Sequence, residues 1–410
     1  MLILAHRYLG IALGLLMVLW CLSGMVMMYV PYPQLSEAER VQHLPPIDWS
    51  LAGADPVEMR LAAPDVAARY SQGATPRLLG KISYDQWTVQ GRKRGDRPLL
   101  HFALDDAAGT EVYVSTVTGK AVQVTTARQR FWNWLGAVPH WLYFTSLRAN
   151  AEAWSQVVIW TSLLGSFLTL TGIYVGLKQL KRRSSGRWIP YKGFHYWHHA
   201  LGLCFGLFVL TWVLSGLISM NPWGFLQGGD FDEPARLRGA ASAAPRISAG
   251  WRALGDDVLQ VRSAPLAGHF FWIVTRADGT RSRLDEQANS APLAADELHW
   301  LGQMLGNSLE RLDHEDEYYF SHHREHAPLP VYRVINRDSG VRFYLDPVSG
   351  EIVQKIDRDN QWYRWLHQAP HRLDFIRSRP SWDVLMLLLL IGTTVVCAIG
   401  AYLGVRRIAR

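Results

Sequence analysis

Four histidines stand in matched surroundings. His6 opens "HRYLGIALGLLMVLWCLSG" (6–24) and His198 opens "HHALGLCFGLFVLTWVLSG" (198–216), which agree at nine positions at an offset of 192. His140 in "WLGAVPHWLYF" and His371 in "WLHQAPHRLDF" correspond at an offset of 231. An imidazole in an apolar segment is costly unless it has a partner or a function. A zinc site wants four N, S or O ligands, or three and a water, whereas each of these places offers two histidines with no acid or cysteine positioned to join them. A haem iron has two axial positions, which helical bundles fill from facing helices. Paired imidazoles therefore point to two b-type haems, one held by His6 and His198, the other by His140 and His371. Gly10 and Gly14, like Gly202 and Gly206, follow their histidine by four and eight residues, on nearly the same helix face. They clear room for a flat macrocycle or let helices pack closely, and both can hold. His195 and His199 share a face one turn apart; either could replace His198 as ligand or contact a haem propionate. His367 has Gly136 as its counterpart and ranks below His371.

The elements that must position these residues are membrane spans. Over 410 residues the mean hydropathy is −0.02, yet the apolar residues are bunched. Four stretches suffice for roughly 30 Å of hydrocarbon at about 20 residues each: 1–30, 154–178, 195–220 and 382–405. The first has too long an apolar core, and no small-residue cleavage site, for a signal peptide. Between them lie two large segments, 31–153 and 221–381, a basic loop at 179–194 and a tail at 406–410. Lys and Arg crowd the loop "KQLKRRSSGRWIPYKG" and the tail, which places both, with the N-terminus, in the cytoplasm. The large segments are then outside, in a bacterium the periplasm, and the chain belongs to the inner membrane. The net charge of +7 reflects this bias and implies no nucleic acid. Cys21, Cys204 and Cys397 all lie in spans, so no disulfide framework is expected, and they read as small apolar fillers.

The halves are copies. "VYVSTVTGKAV" matches "FYLDPVSGEIV" at offset 231, and "GIYVGLKQ" near the end of the second span matches "GAYLGVRR" near the end of the fourth. Each copy starts and returns on one side, so the expected fold is mostly α in the membrane: a four-helix bundle of two parallel repeats about a pseudo-twofold axis. Two α+β domains lie outside, the second with about 39 extra residues. The symmetry puts His6 opposite His198 near the cytoplasmic surface and His140 opposite His371 near the outer one. Pro139 and Pro370 fix the backbone before the outer pair, and "FWNWL" and "WYRWL" suit an aromatic belt. From His6 to Trp20 is about 21 Å of helix, so the two sites stack along the membrane normal. Trp20 and Trp212 lie between or beside them as packing or as an electron relay, and Met28 and Met220 read as packing.

The strand-turn-strand "YLDPVSGEIV" resembles the PepSY domain, and "HRYLG", "HHALG" and "PHRLDF" resemble the PepSY-associated transmembrane-helix family. The resemblance covers essentially the whole chain, and "DEYYFSHHREHAPLPVYRV" (316–334) looks like the family's signature in the second domain. Members include inner-membrane di-haem siderophore reductases, which pass electrons to ferric siderophores in the periplasm so that iron leaves as Fe(II). The resemblance thus implies an oxidoreductase with His6, His140, His198 and His371 as haem ligands. Ser115 and Thr116 stand where the family pattern has Asp-Pro, which makes the second domain the better candidate for substrate contact. Tyr318, Tyr319, His322 and Arg324 are expected to line the surface where a ferric chelate docks. The same stretch, with His314, His323 and His326, also reads as a metal site or as an exposed polar loop. No glycine-rich nucleotide fingerprint is present, so the electron donor is external, a quinol or a cytoplasmic reductase. The competing expectation is a haem-free periplasmic binding or transport module for siderophore, metal or peptide; a third is a sensor or anchor for a periplasmic partner.

Overall fold

Leu2–Met27, Ala151–Gln179, Phe194–Ser219 and Arg379–Ile408 form helices of 26 to 30 residues, apolar enough to cross a membrane. At 1.5 Å per residue each exceeds the hydrocarbon thickness, and their outward faces carry large exposed side chains such as Leu15, Phe167, Leu207 and Leu388. This is a membrane protein with α+β domains. The computed structural model describes residues 1–49, 62–71, 73, 75–181, 188–240, 249–306, 308–321 and 326–409. Asn150 caps the second span, its side-chain oxygen accepting from the Ala153 amide at 3.0 Å, and Pro380 sits in the first turn of the fourth, where no amide is needed. The first span packs on the second and fourth, and so does the third. Small residues set these approaches: a Cβ on Gly404 would lie 3.0 Å from Ile11, one on Gly176 3.0 Å from Leu203, and one on Gly14 3.2 Å from Ala401.

Two units divide the chain, one comprising 1–34, 63–225 and 363–410, the other 35–62 and 226–362. The first holds the spans and an antiparallel sheet ordered β1 (Arg77–Ile82), β2 (Leu99–Ala103), β3 (Glu111–Ser115), β4 (Ala121–Thr125). The second holds a three-stranded sheet, β5 (Val258–Ser263), β6 (Trp272–Arg276) and β7 (Arg281–Leu284), which lies within the longer second segment. It also holds a four-stranded sheet, β8 (Leu309–Leu312), β9 (Val331–Ile335), β10 (Arg342–Leu345) and β11 (Ile352–Ile356). The sequence assigned all of 31–153 to the first outside domain, but residues from Leu35 pack within the second unit. There the Ile47 amide donates to the Val258 carbonyl at 2.8 Å, and Trp49 joins the buried Trp251.

The two four-stranded sheets repeat each other in detail. Gly119 (φ +69°) and Gly350 (φ +75°) take the left-handed conformation in the β3–β4 and β10–β11 turns. Ser115 Oγ accepts from the Val117 and Thr118 amides at 3.1 and 3.0 Å, and Asp346 Oδ1 accepts from those of Val348 and Ser349 at 2.9 and 2.8 Å. The serine therefore does the aspartate's turn-capping work without its charge. What differs is the inserted sheet: Arg281 pairs with Asp346 at 2.6 Å and Arg262 with Glu351 at 2.7 Å.

Candidate functional site

Three of the four symmetry-matched histidines donate through Nδ1 to a helix carbonyl that a glycine leaves uncovered, and the fourth, His371, donates to a serine hydroxyl. A helical side chain covers the turn before its own Cα, so a glycine exposes the carbonyl four residues earlier. His6 Nδ1 reaches Leu168 O at 3.0 Å beside Gly172, and His198 Nδ1 reaches Val396 O at 3.2 Å beside Gly400. His140 Nδ1 lies 3.1 Å from Trp20 O beside Gly24, and His371 Nδ1, beside Gly216, lies 2.9 Å from Ser215 Oγ, which itself donates to Trp212 O. Because a carbonyl only accepts, Nδ1 carries the proton and Nε2 keeps its lone pair in the neutral ring. A metal-ligating histidine is oriented by this kind of second bond.

The rings meet in pairs. His6 and His198 have ring centres 6.2 Å apart, and His140 and His371 6.3 Å apart. Metal–imidazole bonds of about 2 Å, with each ring centre roughly 1.1 Å behind its nitrogen, put two rings on one metal about 6.3 Å apart. Each pair is thus spaced as two imidazoles that would hold one ion. Among the described residues no three His, Cys, Asp or Glu side chains gather as a metal cluster.

The first pair borders a cavity of about 660 Å³ that runs among all four spans. Gly10 and Gly202 line it, and a Cβ on Gly202 would meet nothing within 4 Å, one on Gly10 only Leu168 at 3.9 Å. These two glycines keep space open, whereas Gly14 and Gly206, four residues on, serve close packing, the latter with 3.1 Å to Ile173. His195 and His199 line the same cavity near Tyr191. His198 and neither of these faces His6.

The second pair is more enclosed. Ser23 Oγ, which donates to Leu19 O at 2.6 Å, accepts from His140 Nδ1 at 3.2 Å; Ser215 Oγ, which donates to Trp212 O at 3.1 Å, accepts from His371 Nδ1 at 2.9 Å. The repeated Leu-Ser-Gly thus explains itself. Burial pushes His140 down to about 4 and His371 well below the usual imidazole value, so both rings are neutral at pH 7 and their Nε2 lone pairs are free to ligate. His367 stacks beside His371 at 5.2 Å and donates to Ser215 O at 2.8 Å. It stands on a π-helical turn, Arg364–Gln368, that leads into the Pro370–His371 segment, and Arg364 and Asp374 form a buried ion pair at 2.8 Å there. In the sequence His367 ranks low because its counterpart, Gly136, is not a histidine; the widened turn that sets it against His371 leaves no mark in the repeat.

Leu390 touches the place where Gly24 meets His140, and Gly400 touches His198. The ten residues between them rise about 15 Å, shorter than the span length counted from His6 to Trp20. Met17, Trp20, Val209, Val213 and Cys397 cluster in that interval, while Met28 packs with Trp382, Met386 and Leu390.

The residues expected to meet a substrate stand otherwise. Tyr319 is buried, stacks on Tyr344 at 4.9 Å and donates its hydroxyl to Pro328 O at 2.9 Å, so it belongs to the core of its sheet. Tyr318 is half-buried under the Arg342 guanidinium. His322, His323 and Arg324 lie outside the described residues; His314 and His326 are exposed. A pair missed in the sequence is Asp85 and Asp316, 231 apart, each accepting the hydroxyl of the sheet tyrosine, Tyr113 at 2.7 Å and Tyr344 at 2.8 Å.

The sequence profile of a family described as the PepSY-associated TM region matches residues 3–407. No curated protein matches the chain.

Proposed function

The chain belongs to the PepSY-associated transmembrane family, and we propose that it is an inner-membrane electron conduit that reduces a ferric siderophore in the periplasm, releasing iron as Fe(II). On this reading the spans form a four-helix bundle of two parallel repeats about a pseudo-twofold axis, with termini and basic loop cytoplasmic and the sheet domains outside. The observation that carries it is the pair of imidazole couples with ring centres 6.2 and 6.3 Å apart, every Nδ1 committed to a carbonyl or a serine hydroxyl and every Nε2 left for a metal. Two ligands per level suit a b-type haem, and the space kept by Gly10 and Gly202 suits its flat ring. Haem at each level would supply a one-electron Fe(III)/Fe(II) couple. The chain's own part is to hold the imidazoles neutral and fixed and to exclude water. A quinol or a cytoplasmic reductase would deliver the electrons.

The test is pigment stoichiometry with activity alongside. Purified protein should carry two low-spin haems per chain, and either His140→Ala or His371→Ala should leave one. Membranes from these variants should lose trapping of Fe(II) from a ferric siderophore by a ferrous chelator. A colourless wild-type preparation rules the proposal out.

A further inference from the structure

The wall of the 660 Å³ cavity beside His6 and His198 is chemically uneven. Its apolar part is made by glycines and by Met17, Val209 and Leu168. Its polar part carries Arg7, His195, His199, Arg406 and Arg407, and among the described residues no acid lines it. His199 is 8 % exposed and its Nε2 is buried without a hydrogen-bond partner among the described residues. A buried polar atom left unpaired is destabilising unless a ligand satisfies it. His199 follows His198 as Arg7 follows His6, at the same offset of 192. Each imidazole that faces the other is therefore followed by a hydrogen-bond donor that lines the same space.

We infer that Arg7 and His199 are the carboxylate partners of the macrocycle held at this level, so that its acid edge faces the end of the cavity carrying Arg406 and Arg407. The inference rests on the haem reading above. A ligand that is flat, apolar and bears two carboxylates on one edge matches this wall, because each acid meets one donor and no like charge. The basic residues also fix which way round the ring enters, since the part of the wall made by Met17, Val209 and Leu168 offers a carboxylate no side-chain donor.

Iron protoporphyrin and its dimethyl ester, in which both carboxylates are capped, distinguish the two ideas. Full-length protein from haem-starved cells is titrated in detergent with each, and the site is read as the Soret absorbance that His6→Ala removes. The ester should bind there about tenfold or more weakly than the acid, as expected for lost hydrogen bonds to charged groups. In Arg7→Gln and His199→Gln the acid should lose about tenfold while the ester changes little, Arg7→Lys should restore much of the loss, and the infrared carboxylate band of the bound porphyrin should shift. Equal binding of acid and ester to the wild-type protein overturns the carboxylate assignment and leaves the imidazole pairs standing. Failure of the wild-type protein to bind either porphyrin overturns the haem reading, and the assignment with it.

Discussion

Gly172 stands directly against the His6 ring: a Cβ there would lie 2.6 Å from Cε1, and one on Gly400 would lie 2.9 Å from Cε1 of His198. Both glycines uncover the carbonyl to which the histidine donates, so their loss moves the ring and its anchor together. The glycine and the histidine are one device on two helices, built twice.

On the haem reading, Gly172→Ala and Gly400→Ala should therefore lose the haem proposed at His6 and His198 while retaining the other. Gly202→Ala separates cofactor room from helix packing, since its new methyl meets no protein atom within 4 Å. Replacing a helical glycine stabilises a helix by about 1 kcal/mol. The variant should melt no lower than the wild type and yet bind haem at this level more weakly. Unchanged haem affinity at this level would mean that the space beside Gly202 is not used by the ring.

Ser215→Ala removes the hydroxyl that accepts from His371 Nδ1 at 2.9 Å. Loss of an outer partner to a metal-ligating histidine typically costs about tenfold to a hundredfold in affinity. Haem transfer from this level to an apo-globin acceptor should accelerate by that order, and the midpoint potential of that haem alone should move.

His367→Leu should keep both haems. His367 donates Nδ1 to Ser215 O, but it is His371 that faces His140. Loss of a haem in this variant, with retention in His371→Ala, would exchange their roles.

How much of this was legible depends on what the repeat preserves. The imidazole couples were found because both copies keep histidine, and the Leu-Ser-Gly and glycine matches were visible for the same reason. The role of Gly172 and Gly400 is hidden in the sequence, since "GIYVGL" and "GAYLGV" show a residue kept in both copies but not that the carbonyl one turn earlier accepts a hydrogen bond from a histidine on another helix. Gly10 and Gly14 look alike in sequence and differ only in what stands opposite, open space or Ala401. The charged neighbours of Tyr319 point to a surface residue, whereas the stacking with Tyr344 that buries it joins positions 25 residues apart. The placement of residues 35–49 with the second unit is likewise a long-range choice, made by Ile47 pairing with Val258 and by Trp49 meeting Trp251.

The exchange of Asp-Pro for Ser115-Thr116 in the first turn also has a structural reading that can be measured. Burial opposes ionisation of Asp346, but Arg281 and the Ser349 and Val348 amides outweigh it and hold the carboxyl below its ordinary range. With the folded pKa below the unfolded value of about 3.9, the charged turn stabilises the second unit fully above that pH, and the contribution disappears as pH falls through the folded value. Arg281 is partly exposed, so Arg281→Gln should cost about 1 kcal/mol at pH 7, and the gap between variant and wild type should close below about pH 4. Ser115→Ala in the first sheet should cost a similar amount with no pH dependence of this origin, because a hydroxyl does not ionise there. Thermal melts of the full-length protein in detergent, followed by near-ultraviolet circular dichroism at pH 3, 5 and 7, check both. A deficit for Arg281→Gln that stays constant from pH 7 to pH 3 would show that the guanidinium acts by packing and not through the Asp346 charge.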